Sequence, residues 1–527
     1  MKLVYPFVSL VLLVSPLWAQ TNYIQRTANS ATPTTNNTFV GYESGNTTMT
    51  GFNNSFYGAQ TGGLVSSGAN NTFIGASAGR FTKTGGLNTF VGSTAGLFTD
   101  GGTNNSFIGA VAGQQNTTAS ANTFVGSYAG SKNRTGPSNS FVGAYSGFTN
   151  DVGYSNTVLG AYAAYKNATG AHNIMIGDSA GYTTTVSDQV MIGSKAGFST
   201  TTGFQNTFVG TQSGYSNTLG GLNTFMGYLT GISNRTGSGN TFTGGLAGYS
   251  NDNGTSNTFI GTNAGYSNSS GNSNVFVGSS TGSNNTSGIN NTFVGSQSGF
   301  NNTTGSNNII IGPNSGTAIT TGNDNVLMGY NSQAADRLHN ATAIGANSHV
   351  AISNAVVLGN EANVGIGTSA PTARLDVNSG IEHESGIRIS RLTANSPVQL
   401  TTADKLLTVD ATGKLILTSA GRYSVQSLAD WSDKVFMSGY NLRSLLEVNT
   451  YIQQHQHLPG VPSAAEVVEQ GIDAAKMDAK LLEKIEELTL YSIQLEKANQ
   501  HQQTVNQELR VKLNKLEQLV EQLLKKK

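Results

Sequence analysis

From Asn37 onward one short pattern governs the chain: a polar residue, Thr or Ser, two apolar residues, then glycine. "NNTFIGASAGRFTKTGG" (70–86) is followed at once by "LNTFVGSTAGLFTDGGT" (87–103). The closing glycine falls at Gly41, Gly58, Gly75 and onward to Gly329, eighteen times. The step is 17 residues everywhere except Gly177 to Gly193, where it is 16. A fixed period over so many copies predicts a stacked architecture. Phe and Val/Ile favour a strand, whereas Gly and Asn tolerate the positive φ of bends. Further glycines tend to follow four and ten residues after the first, as at Gly45 and Gly51. Each unit therefore reads as strand, tight bend, short strand, turn. It is too short for a βαβ crossover and suits one coil of a parallel β-roll or solenoid.

The third residue of the motif is Phe in thirteen copies: Phe39, Phe56, Phe73, Phe90, Phe107, Phe124, Phe141, Phe208, Phe225, Phe242, Phe259, Phe276 and Phe293. Val158, Met175, Met191, Ile310 and Leu327 fill the rest. The fourth residue is also mostly apolar (Val40, Ile74, Val91, Ile108, Val125). Successive strand residues point to opposite faces, so an apolar pair predicts a strand covered on both sides. One face can fill the coil. The other is expected to meet a second copy of the chain, because a lone solenoid would carry an apolar stripe along its length. The Asn before each Thr-Phe predicts a ladder, its side chain bonding to the neighbouring bend.

After Gly329 the beat shortens. "NATAIGANSHVAIS" from Asn340 is followed by "NAVVLGNEANVGIGTSAP" from Asn354, and Gly345 and Gly359 are 14 residues apart. Asn340, Ala341, Ala343, Ile344 and Gly345, then Asn354, Ala355, Leu358 and Gly359, resemble the head repeats of YadA-like trimeric adhesins. That resemblance implies a parallel β-roll in a homotrimer. Beyond it, "KLLTVDATGKLILTSAG" alternates like two short strands around a turn at Thr412–Gly413.

Near Ser424 the composition turns to acids, bases and helix formers. Trp431, Asp433, Val435, Phe436, Tyr440 and Leu442, "HLPGVPSAAEV" from His457 and "LLEKIEELTLY" from Leu481 resemble the intramolecular chaperone of endosialidase and tail-fibre (peptidase S74-like) proteins. That resemblance implies a trimer-forming module. Its phage members cut themselves with a Ser–Lys pair. Here Ser432 and Lys434 stand without the rest of that start motif, which leaves self-processing as the alternative reading. From Leu481 a heptad runs through Ile485, Leu488, Leu495, Leu509, Leu513, Leu516, Val520 and Leu523, the 3–4 spacing of a coiled coil. Polar residues between Ser492 and Asn506 can fix its register.

Composition narrows the remaining classes. Of 527 residues 66 are Gly and none is Cys, and only 11% are charged, against roughly 25% in a typical domain. Zero formal net charge argues against nucleic acid as a partner. "MKLVYPFVSLVLLVSPLWAQ" has a lysine, a short apolar core and a small residue before a plausible cut at Ala19–Gln20, the pattern of a secretory signal peptide. No later stretch is long enough to span a bilayer. His455 and His457 lack further candidate metal ligands. Asp100, Asp151, Asp178, Asp188 and Asp252 read as scattered across the repeat, unlike a calcium-binding roll with an acid in every coil. No catalytic site, cofactor or metal is expected.

The expected organisation is a signal peptide (1–19), a leader (20–36), 17-residue β-roll repeats (37–333) and short YadA-like repeats with a junction (334–370). A β-rich neck (371–423), a chaperone-like module (424–475) and a coiled coil (476–527) follow. The fold class is mainly β, with a helical coiled coil at the C-terminus. The expected function is that of a secreted or cell-surface homotrimeric fibre with an adhesin-like or structural role. It would bind a host, glycan, protein or other surface ligand through its repeats. Regular Thr positions also admit an ice-binding surface.

Overall fold

The computed structural model describes residues 24–25, 36–46, 48–381, 387, 405–409, 415–419, 432–472 and 474–526. The proposed signal peptide, most of the leader, Trp431 and much of the proposed neck lie outside them. The chain divides into two compact units, 1–387 and 388–527.

The first unit is a parallel β-solenoid. Three-residue strands, from Thr38–Val40 to Val326–Met328, pair in parallel with the strands one coil before and after. Register is fixed residue on residue: Phe56 opposes both Phe39 and Phe73, and Phe276 opposes Phe293. Thr342–Ile344 and Val356–Leu358 of the short repeats continue the same sheet. At the other end Ile24–Gln25 pairs antiparallel with Thr38–Val40, covering the first strand's edge. The expected second strand of each 17-residue coil does not form; turns take its place. Among the described residues one forms only where the repeats shorten, and there Gln333–Ala334 pairs with His349–Val350.

Each coil is numbered here from the Asn before Thr-Phe, so that in Asn71–Leu87 Phe73 is position 3. Positions 1, 3, 8 and 12 point inward. Phe at position 3 is buried in all thirteen coils that carry it, and where two such coils adjoin the rings stack with centroids 4.6–5.1 Å apart. Position 8 carries the small residues Ala78, Ala95, Ser146 or Thr230, all buried. Two glycines are forced by this packing. A Cβ on Gly62 (φ +60°) would lie 2.5 Å from the Phe56 ring. On Gly75 (φ +130°) it would lie 2.5 Å from the carbonyl oxygen of Gly92 in the next coil. Bends were expected to rely on Gly and Asn for positive φ. Instead, position 7 takes left-handed φ with residues as varied as Ser77, Thr94, Val111 and Tyr128.

In the second unit Lys405–Val409 and Leu415–Ser419 pair antiparallel. A 3-10 turn at Ser432–Phe436 precedes three helices: α1 (Leu445–His455), α2 (Ala464–Gln470) and α3 (Ala474–Leu524). Ser444 with Glu447, and Ser463 with Glu466, close reciprocal capping boxes that satisfy the first free amides of α1 and α2. α3 is one unbroken helix of 51 residues. Among the described residues no helix is long and apolar enough to cross a membrane.

Candidate interaction surfaces

A core holding two rows of Asn must bond every amide, because a buried polar group without a partner is costly. The row at position 1 bonds between coils, although Asn122 Nδ2 has no partner. Asn71 N–H donates to Asn54 Oδ1 at 3.0 Å, and Asn71 Nδ2 donates to Gly85 O at 2.9 Å. The same pattern carries Asn223 and Asn240, which is the ladder the motif predicted. A second buried row, at position 12, has no counterpart in the sequence reading. Asn234 Nδ2 bridges Asn217 Oδ1 at 2.8 Å and Gly237 O at 3.0 Å, and Asn251, Asn268 and Asn285 repeat the arrangement. The 17-residue phase could have revealed it.

The outward side of the sheet presents positions 2 and 4. Position 2 is mostly Thr or Ser, and position 4 mostly Val, Ile, Leu or Met. Ile74 is 42% exposed and Leu159 48%, and no coil carries a charged residue at either place. The apolar stripe expected from the motif is therefore present, one residue wide, beside a column of hydroxyls. The Phe row itself needs no second chain, since the coil closes around it.

Acids were expected to be scattered. Three share one phase, position 13, each facing a base one coil earlier: Lys83 with Asp100, Arg134 with Asp151, and Arg235 with Asp252. Arg235 holds Asp252 through two bonds of 2.6 Å. Hydrogen bonds from the partner guanidinium hold the Asp151 and Asp252 carboxyls below the usual carboxylate range. These pairs tie neighbouring coils together. Among the described residues no cluster of three potential metal ligands exists. His455 and His457 pack with the Tyr451 ring. Lys434, half of the Ser–Lys alternative, pairs with Glu483 at 3.1 Å.

The C-terminal unit carries the second surface. The N-terminal part of α3 turns charged residues toward its own chain. Glu483 and Glu486 are buried; Glu483 accepts from Lys480 at 2.8 Å, and Tyr440 donates its hydroxyl to Glu487. Burial pushes the Glu483 carboxyl up, but bonds from Lys480 and Lys434 outweigh it and the group sits low. Burial, reinforced by the bond to Glu487, drives the Tyr440 phenol well above its ordinary range. Tyr491 donates to Arg443 O at 2.6 Å. The heptad residues stay uncovered. Ile485, Leu488, Leu495, Leu509, Leu513, Leu516, Val520 and Leu523 are all exposed, Leu495 to 72%. At the N-terminal part of α3, Leu481, Ile485 and Leu488 join Leu445, Val448 and Leu458 around an open groove of about 720 Å³. Comparison of the chain with protein-family models, with curated proteins and with solved structures finds no match.

Proposed function

We propose that the chain is an exported homotrimeric fibre of the cell surface. In this reading the C-terminal unit assembles the trimer, and the solenoid spaces and displays a neutral, hydroxyl-rich surface to a glycan, protein or other solid. One observation carries the reading. The N-terminal part of a 51-residue helix packs Glu483 and Glu486 on its own chain, and along its length the helix leaves a heptad row of leucines in water. A helix exposing such a row is unfavourable alone and is satisfied by the same row on a parallel copy. The apolar column along the solenoid offers the same partner a second strip. The signal-peptide pattern supports export, and the shortage of titratable groups in the repeats supports a structural rather than chemical role.

The test is the mass of the mature chain, residues 20–527, by sedimentation equilibrium or light scattering. A species of three chains is expected. Leu513→Asp with Leu516→Asp should reduce it to one chain while leaving the β-rich far-ultraviolet spectrum in place. A wild-type chain that sediments as a stable monomer at micromolar concentration ends this reading.

A further inference from the structure

Three ordered rows run through the solenoid interior, and all three fail at the same place. The Phe stack stops at Phe141 and resumes at Phe208, with Val158, Met175 and Met191 between. The second Asn row stops at Asn167 and resumes at Asn217, with Thr184 and Thr200 between. The buried Thr200 hydroxyl has no hydrogen-bond partner, as is also the case at Thr82 and Thr99 before this row begins. The first Asn row passes through Gln189, whose bonds to Asn206 N–H and Gly203 O lengthen to 3.4 and 3.3 Å, against 3.0 and 2.9 Å at Asn71. The coil between Gly177 and Gly193 is also the one that lacks a residue.

Outside the same coils, at position 10, Phe148, Tyr165, Tyr182, Phe198 and Tyr215 stack in one continuous row with centroids 5.0–5.2 Å apart. This outer row begins in the coil of Phe141 and ends in the coil of Phe208, so it spans the interior gap end to end. The repeat does not demand aromatics there, since Gln114, Ser131 and Ser283 occupy position 10 in other coils. Elsewhere among the described residues the position stacks only as the pair Tyr249 and Tyr266.

We propose that coils 156–205 are a built-in opening point of the solenoid, held shut by the outer aromatic row. In a stacked array each coil is stabilised by its own contacts and by its two neighbours. The interface that has lost ring stacking and amide bonding inside therefore opens before the others. The outer rings restore stacking across the faulty coil from the water side, where removing them leaves the fold of the remaining coils intact. The device confines local opening to one place in an array that could otherwise fray at any coil.

Amide hydrogen exchange on the full chain, read peptide by peptide, tests this. Residues 156–205 should exchange about tenfold faster than coils 105–138 and 240–290. Tyr165→Ser with Tyr182→Ser should raise exchange in 156–205 by about another tenfold and leave the distant coils unchanged. Tyr165→Phe with Tyr182→Phe keeps the rings and should exchange as wild type. Even protection along the solenoid, or no local change in the double Ser variant, overturns the proposal. So does a rise in the double Phe variant equal to that of the Ser variant, since the clamp would then lie in hydroxyls and not in stacked rings.

Discussion

The solenoid and the C-terminal helix solve the burial problem in opposite senses. In the solenoid every coil turns its large apolar residue inward and its neighbours finish the job, so Phe90 is fully buried within one chain. In α3 the inward side holds Glu483, Lys484 and Glu487, while Leu509 and Leu516 stand in water. Both segments are periodic and both are apolar on one side. The difference is that a 17-residue coil closes around its own apolar side, whereas a single helix can only lay its stripe against something else. Self-similarity along the chain supplies the partner in the first case. In the second, the described residues leave Leu509 to Leu523 uncovered.

The largest expected effect separates the two directly. Phe90→Ala removes a ring sandwiched between Phe73 and Phe107 and should cost about 3–5 kcal/mol of local stability. That is measurable as lost exchange protection in residues 72–109. Leu509→Ala removes as apolar a side chain from an exposed site, 56% accessible. In a chain held monomeric by dilution it should change stability by less than about 0.5 kcal/mol. A large loss in the dilute monomer would show that α3 packs on its own chain in solution, and the contrast would fail.

A second effect tests how far each coil's interior is matched to itself. Val158 is the only non-Phe among the first eight residues of the inner row, and its coil carries Ala164 where the others carry Gly45, Gly62 or Gly147. A Cβ on Gly147 would lie 2.5 Å from the Phe141 ring. Val158→Phe alone should therefore force its ring against the Ala164 methyl and destabilise the coil by about 1–3 kcal/mol. Val158→Phe with Ala164→Gly should remove the clash and extend the Phe stack by one ring, restoring thermal stability to at least the wild-type value. If both variants melt alike, the Val–Ala pairing is incidental.

The repeat, its parallel stacking, the burial of Phe and the Asn ladder were legible because each follows from residue type at a fixed phase. The long helix was legible from its heptad. Three things were not. Turns replace a second strand because position 7 holds left-handed φ with Val111 or Tyr128, a cost that only the neighbouring coils' hydrogen bonds can offset. The ion pairs at position 13 join residues of different coils, and reading acids alone hid the bases 17 residues before them. The outer aromatic row was hidden for a similar reason. Position 10 is variable, so its meaning appears only when the interior gap is seen beneath it.

The smallest stabilising effect is at Thr82, at position 12, where the solenoid's bonding is incomplete. Thr82 and Thr99 are fully buried there, and neither hydroxyl has a hydrogen-bond partner. Val65 fills the same place one coil before Thr82 and is equally buried. Thr82→Val exchanges a hydroxyl for a methyl of nearly the same shape. Replacing an unpaired buried polar group in this way relieves its desolvation cost without opening a cavity. The variant should gain about 1 kcal/mol, seen as slower amide exchange in residues 71–99. The matching change at Asn234, whose amide makes two bonds and whose oxygen accepts one from Asn251, should go the other way. Asn234→Leu removes the donor to Asn217 Oδ1, while Asn251 Nδ2 and Gly237 O each lose one bond and keep Gly254 O and Asn223 Nδ2, and it should lose about 1–3 kcal/mol. Opposite signs at one position of the coil would show that this interior is stabilised by completed bonding and not by polarity itself. Equal signs would mean that ordered water already serves the Thr82 hydroxyl.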